Sequence, residues 1–373
     1  MPDYLVTAKH FRNLFLQNTS FLDVRAESEF AKGSFPQSTN LPILNDKERH
    51  LVGTCYKQLG QEAAIKLGHE LVCGTLKAAR IQSWCEIAVK YPNLHLYCWR
   101  GGMRSNLARQ WILDMGVDVP LIEGGYKALR QSLVDVIDEV ASHISMIRIG
   151  GKTGVAKTPL INQIENSVDL EKHANHRGSS FGRRVSHQPT QSNFEHALAI
   201  DLLRATYNIS NEKVLFVEDE GRSIGSIGMP LTFFSTMQRS PLALVEMPLE
   251  FRVRRVLQEY VIDMLAEFET GDAVCGFESL SNYLNESLRR IQKRLGLMRC
   301  NHLAVLLTQA LQAQQSTGST CGHEAWITAL LTEYYDPMYE YQIKKNQELV
   351  IFKGSYAEVT DWAQQFSNTG VIG

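Results

Sequence analysis

The feature that most constrains the fold is a short apolar strand that runs directly into a glycine-rich loop and then into a helix. Residues 94–98 predict the strand, and Arg100-Gly101-Gly102 follow it at once. Apolar residues at 3–4 spacing predict a helix from Ser105 to Met115, and Val119–Ile122 predicts another strand, which ends at Gly124-Gly125. This order of elements is typical of a parallel α/β sheet.

The same order of elements recurs near residue 150. Ser145–Ile149 predicts a strand, Gly150–Gly154 a glycine-rich turn, and a helix is predicted through Ile164. Further buried strands are predicted at Val214–Val217 and Leu242–Glu246. A second parallel α/β sheet, of the P-loop type, is therefore predicted here.

The pattern becomes helical from about residue 250. Helices are predicted at Phe251–Glu269, Leu280–Leu295, His302–Gln315 and Tyr356–Phe366. A strand is predicted at Leu349–Phe352, before the last helix. We therefore predict an α/β protein with a parallel-sheet domain at 1–140, a P-loop-like α/β domain at 141–250 and a mainly helical extension of the second domain at 251–373.

Composition excludes several classes of protein. Hydrophobic residues make up 44% and charged residues 21% of the 373 residues, as in ordinary globular proteins. No run of about 18 apolar residues predicts a membrane span, and no signal peptide is recognised. The seven cysteines lack clustered spacing, so we expect a reducing, cytoplasmic environment and no structural metal. A net charge of −2 means that any RNA site is a local basic face.

The loop after the first strand has the residues of a reactive cysteine site. Cys98 ends the strand, and the amides of Gly101 and Gly102 are expected to form a nest for an anion. Arg100 and Arg104 add positive charge, which favours the thiolate form of a cysteine. Cys98 is therefore the predicted nucleophile.

The Cys-X5-Arg pattern leaves the reaction open. It is used for phosphate ester hydrolysis through a phosphocysteine, and also for sulfur or selenium transfer through a persulfide or selanylsulfide. A phosphatase of this kind usually needs an aspartic general acid on a nearby loop, and the sequence does not identify one. A third alternative is a regulator without catalysis that binds RNA or a nucleotide.

The turn near residue 150 matches the Walker A pattern G-x-x-x-x-G-K-[ST], except that Ala156 replaces the last glycine. Backbone amides of such a loop cradle phosphates, Lys157 meets their oxygens, and Thr158 is a candidate Mg²⁺ ligand. The Cβ atom of Ala156 is expected to lie close to the phosphates or at a position of positive φ. Val214–Val217 leads into Glu218-Asp219-Glu220, as in a Walker B strand. These features predict a diphosphate or nucleotide site.

Basic residues are concentrated in three segments. One is the cluster Arg252, Arg254 and Arg255. The other two supply the leading candidates for RNA or substrate contact. One lies between the glycine-rich turn and the acidic strand, and includes Arg177, Arg183 and Arg184. The other is a helical stripe that includes Arg290 and Arg294. A solvated helix face explains such a stripe equally well.

Short segments spread over nearly the whole chain complete the pattern. They are Asp23–Phe30 with Asn40–Pro42, Gly53–Gln58, Cys98–Ser105, Glu123–Arg130, His176–Gly182, Val217–Glu220 and Glu333–Tyr339. In this order they resemble the tRNA 2-selenouridine synthase family, in which a rhodanese domain is fused to a P-loop-like domain. The joint order of the segments is far more specific than any one of them.

The resemblance implies a transferase that acts on 2-thiouridine at the wobble position of the tRNAs for Lys, Glu and Gln. The enzyme attaches a geranyl group from geranyl diphosphate to the sulfur. It then replaces the S-geranyl group with selenium from selenophosphate. The implied partners are therefore tRNA, geranyl diphosphate and selenophosphate, with no membrane and no covalently bound cofactor.

The resemblance also assigns roles to residues. Cys98 would carry selenium as a selanylsulfide, and Arg100, Arg104 and the loop amides would hold selenophosphate. We further expect the diphosphate of the geranyl donor to be held by Gly151, Thr153, Gly154, Lys157 and Thr158. The family usually has glycine where this chain has Ala156, and this departure bears on geranylation more than on selenation.

Overall fold

The structure, a computed structural model, describes residues 4–207, 214–271 and 275–369. The chain forms two compact units, Met1–Asp138 with Thr190–Arg204, and Glu139–Pro189 with Ala205–Gly373. Each unit is built on a parallel sheet with helices, so the predicted α/β class is confirmed. Within the described residues, no helix combines the length and the apolar character needed to cross a bilayer.

The sheet of the first unit has five parallel strands in the order β1-β5-β4-β2-β3. Their bounds are β1 Leu5–Val6, β2 Phe21–Asp23, β3 Ser38–Asn40, β4 His95–Tyr97 and β5 Leu121–Ile122. The central strand is β4, where Leu96 pairs with Leu22 on one side and Leu121 on the other. All three leucines are buried, which is why this apolar segment forms a strand covered on both faces.

Six helices follow or connect these strands. They are α1 Phe11–Leu16, α2 Glu27–Lys32, α3 Asp46–Leu71, α4 Gly74–Lys90, α5 Met103–Leu113 and α6 Gly125–His143. Helix α3 begins at a capping box, because Asn45 accepts from the Glu48 amide and Glu48 accepts from the Asn45 amide. It is interrupted at Gly60, whose φ is 88°. Helix α5 begins two residues before the predicted start.

The sheet of the second unit is again parallel and five-stranded, in the order β12-β11-β6-β8-β7. The strands from here on are β6 Met146–Gly151, β7 Ser167–Val168, β8 Leu215–Glu218, β9 Ser223–Ile224, β10 Ile227–Gly228, β11 Leu242–Val245 and β12 Val350–Gly354. β9 and β10 form a separate antiparallel pair. The central strand is β6, the predicted strand before the glycine-rich turn.

Eleven further helices complete the described chain. They are α7 Lys157–Ile161, α8 Leu170–Ala174, α9 Gln191–Thr206, α10 Leu231–Arg239, α11 Leu249–Leu257, α12 Asp263–Gly271, α13 Gly276–Leu295, α14 Leu297–Thr317, α15 His323–Leu330, α16 Asp336–Lys345 and α17 Tyr356–Thr369. π-helical turns at Gln258–Ile262 and Leu331–Tyr335 join α11 to α12 and α15 to α16. Helix α7 is shorter than predicted and ends at Ile161.

Residues 190–204, most of α9, belong to the first unit, although the sequence prediction included them in the range 141–250. The Ser34 amide donates to Asn193 Oδ1 at 2.8 Å, and the Ser34 carbonyl lies 2.9 Å from His196 Nδ1. The His196 ring packs 4.6 Å from Phe35, centroid to centroid. Burial lowers the pKa of His196 to about 4, so this histidine is neutral in the core.

Candidate functional site

Cys98 lies immediately after the central strand of the first sheet, at its carboxyl end. The predicted order of strand, loop and helix is therefore confirmed around it. Cys98 is 3% exposed, and its Sγ lies 3.1 Å from the hydroxyl of Ser105 on α5. The thiol is thus covered, with a hydroxyl as its polar neighbour.

The loop between Cys98 and α5 has free backbone donors. Within the described chain, no carbonyl or side chain accepts a hydrogen bond from the amides of residues 99–102. The loop is held from its carbonyl side, since the amides of Tyr126 and Lys127 donate to the carbonyls of Cys98 and Trp99 at 2.8 and 3.1 Å. Unpartnered amides after a strand are the donors that the predicted anion nest requires.

Glycines make this loop arrangement possible. Gly101 has a φ of 63°, and a Cβ atom there would meet the Gly124 amide at 2.8 Å. A Cβ atom at Gly125 would meet the Cys98 carbonyl at 2.3 Å. Two glycine-containing turns therefore pack backbone against backbone.

The two arginines of the loop have different surroundings. Arg100 is exposed, and no side-chain partner is recorded for it in the described part of the chain. Arg104 is paired with Glu29, with N–O distances of 2.6 and 3.1 Å. Burial raises the pKa of Glu29, but Arg104 and Arg49 outweigh burial and hold it below its ordinary value. Glu29 was not identified from the sequence as part of this site.

A buried ion pair supports the neighbouring strand. Arg25 donates to both carboxylate oxygens of Asp23, at 2.6 to 3.0 Å, and both residues are fully buried. The Arg25 guanidinium also lies 4.0 Å from the Tyr126 ring centroid. Burial raises the pKa of Asp23 despite the hydrogen bonds from Arg25, which lower it. This pair therefore packs against the first turn of α6, which contains Tyr126.

The glycine-rich turn of the second unit follows its central strand in the same way. Gly151 has a φ of 150° and Gly154 a φ of 86°, and Cβ atoms there would meet the carbonyls of Val245 and Arg252 at 2.6 and 2.8 Å. Ala156 has a φ of 66° and a ψ of 45°. The expectation that this alanine occupies a position of positive φ is confirmed, and its Cβ makes the conformation strained.

Lys157 and Thr158 face three carboxylates. The Thr158 hydroxyl donates to Glu218 at 2.9 Å and to Glu171 at 3.2 Å. Burial lowers the pKa of Lys157, but Tyr339, Glu220, Glu171 and Glu218 outweigh it and raise the pKa above its ordinary value. Lys157 is therefore a permanent cation at the start of α7.

The acidic end of β8 divides between the two faces of the sheet. Glu218 and Glu220 lie on the Lys157 side, whereas Asp219 pairs with buried Arg148 at 2.8 Å, as the alternation of a strand requires. Burial raises the pKa of Glu218 and Glu171 to about 8 and that of Glu220 to about 7. The sequence identified this acidic end but not Glu171, which comes from α8.

The turn is braced by a distant helix. Arg252 on α11 makes two hydrogen bonds of 2.7 Å to Asp336 on α16, and it lies 3.5 Å from the Thr153 carbonyl. Lys152 reaches Glu340 at 2.7 Å on the same helix. Asp336 lies in the last of the segments that carried the family resemblance, and the structure gives it this bracing position.

A cavity of about 890 Å³ opens beside the turn. It brings together six of the predicted site residues, which are Thr153, Gly154, Lys157, Thr158, Arg177 and Arg184. The two arginines in this set, Arg177 and Arg184, are already paired, because their guanidinium nitrogens lie 2.9 and 3.2 Å from Glu267 Oε1. Gly151 is buried in the strand and is not among the lining residues of this cavity.

The basic segment forms a tight loop. The Arg177 amide donates to the Gly182 carbonyl at 2.8 Å, and Phe181 is fully buried. The Phe181 ring stacks on Tyr260 and Trp326 at centroid distances of 6.1 and 5.8 Å. The aromatic anchor holds the loop against the helical core, which leaves Arg183 exposed.

A second cavity of about 700 Å³ shares Gly178, Ser179 and Arg184 with the first. Its lining includes Arg183 and Arg290. Arg290 donates to the Ser180 carbonyl and the Ser287 hydroxyl, whereas Arg294 is exposed on α13 outside both cavities. The two basic segments thus meet at Arg183 and Arg290, which the sequence alone did not indicate.

Comparison with known proteins gives consistent matches over nearly the whole chain. A family model described as the tRNA 2-selenouridine synthase AAA domain matches residues 144–369. The tRNA 2-selenouridine synthase of Cupriavidus pinatubonensis is 47% identical over 359 residues, which cover 96% of this chain and 98% of that protein. Those of Pseudomonas aeruginosa and Shewanella piezotolerans are 48% and 46% identical, covering 96% and 97% of this chain and 97% and 99% of those proteins. These matches do not favour the phosphatase alternative.

Proposed function

The chain belongs to the tRNA 2-selenouridine synthase family, and we propose that it is the cytoplasmic transferase that converts wobble 2-thiouridine of tRNA to 2-selenouridine. The observation that carries this proposal is the similarity to synthases over almost their entire length, together with a cysteine loop at the carboxyl end of a parallel sheet. The proposed substrates are the tRNAs for Lys, Glu and Gln, geranyl diphosphate and selenophosphate.

We assign selenation to the Cys98 loop. In the proposed exchange, selenium of selenophosphate enters C2 of the nucleoside as geranylthiol leaves, water releases the phosphate, and Cys98 is the catalytic thiol. The amides of Gly101 and Gly102 and the guanidinium of Arg100 hold the selenophosphate anion. Arg100 is the more available arginine, because Arg104 already binds Glu29. Cys98 is buried, so access of the donor requires the loop to release the carbonyls of Cys98 and Trp99 from the amides of Tyr126 and Lys127. The loop's own amides at 99–102 have no partner among the described residues.

We assign geranylation to the glycine-rich turn of the second unit. Lys157 and the backbone of Thr153 and Gly154 hold the diphosphate of geranyl diphosphate, whereas Gly151 lies outside the cavity lining and shapes the turn. The fixed positive charge of Lys157 stabilises the diphosphate as it leaves, when its charge is greatest. The acceptor is the sulfur of 2-thiouridine, supplied by the bound tRNA.

Mg²⁺ fits the donor set beside this turn. Thr158 and Glu218 provide oxygen ligands, which Mg²⁺ prefers, and Mg²⁺ usually binds through one or two carboxylates and substrate phosphates. Within the described residues, no group of three His, Cys, Asp or Glu side chains has metal-binding geometry. A bound Mg²⁺ would neutralise charge on the diphosphate, and Thr158 is its proposed protein ligand.

The tRNA contacts are proposed at the basic residues of the second unit. Arg183 is exposed and Arg290 lines the same cavity, so these two are the leading candidates for phosphate contacts. Arg294 extends the stripe along α13. Arg177 and Arg184 are paired with Glu267, and we assign them to shaping the cavity rather than to direct contact with the RNA backbone.

The test is mass spectrometry of wobble nucleosides from cells with and without this protein. Cells that lack it are expected to lose 2-selenouridine and S-geranyl-2-thiouridine, and a plasmid copy restores both. The Cys98→Ala copy is expected to restore only the S-geranyl nucleoside. Unchanged levels of both nucleosides in the deletion strain would exclude the proposed function.

A further inference from the structure

The first unit contains an apolar cavity of about 440 Å³ to which the proposed function assigns no part of a substrate. It lies between helices α3 and α5, and its lining is largely hydrophobic. The apolar residues at its wall are Ile43, Leu44, Val52, Ala64, Ile65, Val72, Leu107 and Trp111. An apolar pocket of this size is typical of a site for a small hydrophobic ligand.

The cavity adjoins the cysteine loop. Met103 and Arg104, the first two residues of α5 after the loop, are part of its lining. Cys98 belongs to the same buried cluster as Val72 and Trp111, which also line the cavity. The reacting thiol and the apolar wall are therefore parts of one packed core.

The two cavities near the glycine-rich turn have a different character. They are lined mainly by charged and polar side chains, among them Lys157, Glu171 and Glu220 in one and Arg183 and Arg290 in the other. Such linings suit phosphates and polar groups, since apolar surface gains most when it leaves water for an apolar wall. The cavity beside Cys98 is thus the better match for a hydrocarbon chain.

We propose that this cavity binds the geranyl chain of S-geranyl-2-thiouridine while the nucleoside is selenated at Cys98. The inference rests on the proposed function. During selenation the chain is attached through sulfur to C2, the carbon that receives selenium, so the proposal places C2 and its S-geranyl group near Cys98. The cavity removes it from water and positions the nucleoside for exchange.

Positive charge at the cavity suits a nucleic-acid substrate. Arg49 and Arg104 both line the cavity, and both pair with the carboxylate of Glu29, so two guanidinium groups lie at its edge. The Arg49 side chain is 48% exposed. An apolar cavity with a basic edge fits a hydrocarbon chain carried by a polyanion.

Two helical glycines allow the cavity to be filled without backbone strain. A Cβ atom at Gly53 would meet nothing within 4 Å, and one at Gly68 would meet only the Val52 side chain at 4.0 Å. Gly53→Leu and Gly68→Leu therefore place side chains in the cavity and improve helix propensity. Glu62→Leu on the same helix is the matched control, because Glu62 is exposed and outside the cavity lining.

The experiment measures binding of anticodon stem-loops to the full chain without selenophosphate. The stem-loops carry 2-thiouridine with an S-methyl, S-dimethylallyl or S-geranyl group. Affinity for the wild-type protein is expected to rise by about 10- to 100-fold from methyl to geranyl, because the gain from each buried methylene is partly offset by the cost of ordering the chain. Gly68→Leu and Gly53→Leu are expected to lose most of this rise and keep S-methyl binding, while Glu62→Leu keeps both.

The outcomes separate the inference from the proposed function. A wild-type protein that binds all three stem-loops equally overturns the inference, even if it converts S-geranyl RNA to 2-selenouridine. The same holds if both filled variants keep the full dependence on chain length. Failure to convert S-geranyl RNA, with the chain-length dependence intact, counts against the proposed function alone. The wild-type series needs no variant, so equal binding of the three stem-loops overturns the inference even if a variant does not fold.

Discussion

The Cys98 loop and the Lys157 turn have the same place in two different sheets. Each follows the central strand of a five-stranded parallel sheet and leads into a helix. The pKa values of the glutamates beside the two loops are shifted in opposite directions. Beside the first loop, Glu29 has a lowered pKa because arginines outweigh its burial, whereas burial raises the pKa of the three glutamates beside the second.

On the proposed function, the difference lets one topology serve two kinds of chemistry. The first loop has a nucleophile, free amides and a free arginine, which suit a covalent step on an anionic donor. The second has a fixed cation beside acidic oxygens, which suits a diphosphate with its metal ion. The strand position supplies the amides, and the side chains around them select the reaction.

The largest expected effect is the loss of one activity by a change at Cys98. Cys98→Ser removes the catalytic thiol, so selenation of pre-geranylated RNA is expected to fall by about 10³-fold or more. Geranylation of 2-thiouridine RNA is expected to stay within about twofold. Rates of both steps are measured by mass spectrometry of the digested RNA. A parallel loss of both steps would break the division between the two loops.

A smaller loss of the other activity is expected from Lys157→Gln. Removal of one positioned cation at a leaving diphosphate costs about 10²-fold in rate, so geranylation is expected to fall by that factor. Selenation of pre-geranylated RNA is expected to be unaffected. Lys152→Gln is the control, because Lys152 belongs to the same turn but pairs with Glu340. Equal losses in both variants would mean that Lys157 acts only through general charge.

The opposite pKa shifts predict opposite dependences of stability on pH. The folded state holds protons on Glu171 and Glu218 up to about pH 8, whereas the unfolded chain loses them near the ordinary value of 4.5. Stability therefore falls between about pH 5 and 8, by at most about 1.4 kcal/mol per pH unit for each group. Glu218→Gln is expected to reduce this slope in urea unfolding.

A variant at Glu29 is the control for the pH dependence of stability, because its pKa is shifted in the opposite direction. Its pKa is lowered in the folded state, so its contribution to stability is present above about pH 4.5 and is lost at lower pH. Glu29→Gln is expected to destabilise the protein at pH 7 and to leave the slope between pH 5 and 8 unchanged. If Glu218→Gln also leaves that slope unchanged, the buried carboxyls are not protonated as described.

The smallest expected effect concerns Ala156. A left-handed alanine costs about 1–2 kcal/mol, part of which glycine recovers, so Ala156→Gly is expected to stabilise the protein by about 1 kcal/mol. Affinity for geranyl diphosphate is expected to rise several-fold, as measured by calorimetry. Ala78→Gly, at an exposed site within α4, is expected to destabilise by about 1 kcal/mol instead. The same sign at both positions would contradict the strain at Ala156.

The local patterns of the sequence predicted the parts of the fold that depend on neighbouring residues. The strand before Cys98, the helix after it and the left-handed position of Ala156 all follow from short segments. Helix ends were less accurate. The first turn of α5 starts with Met103, which is half exposed and therefore outside the apolar periodicity that marked the helix.

The parts that were not predicted depend on distant residues. Arg252 lies in a basic cluster in the sequence, but it is buried against Asp336, 84 positions away. Arg177 was a candidate for RNA contact, and its pairing with Glu267 crosses 90 positions. The sequence does not show whether a charged side chain forms an ion pair, lies in solvent or contacts nucleic acid, because tertiary packing decides this.

The assignment of residues 190–204 to the first unit has a consequence for the order of events during synthesis. Nascent domains generally fold as they emerge from the ribosome, starting from the amino terminus. Here the partners of Ser34 and Phe35 are made more than 150 residues after them. The first unit therefore completes its core only after the first segment of the second, Glu139–Pro189, has been translated. A truncated chain ending at residue 140 would expose the surface that α9 covers.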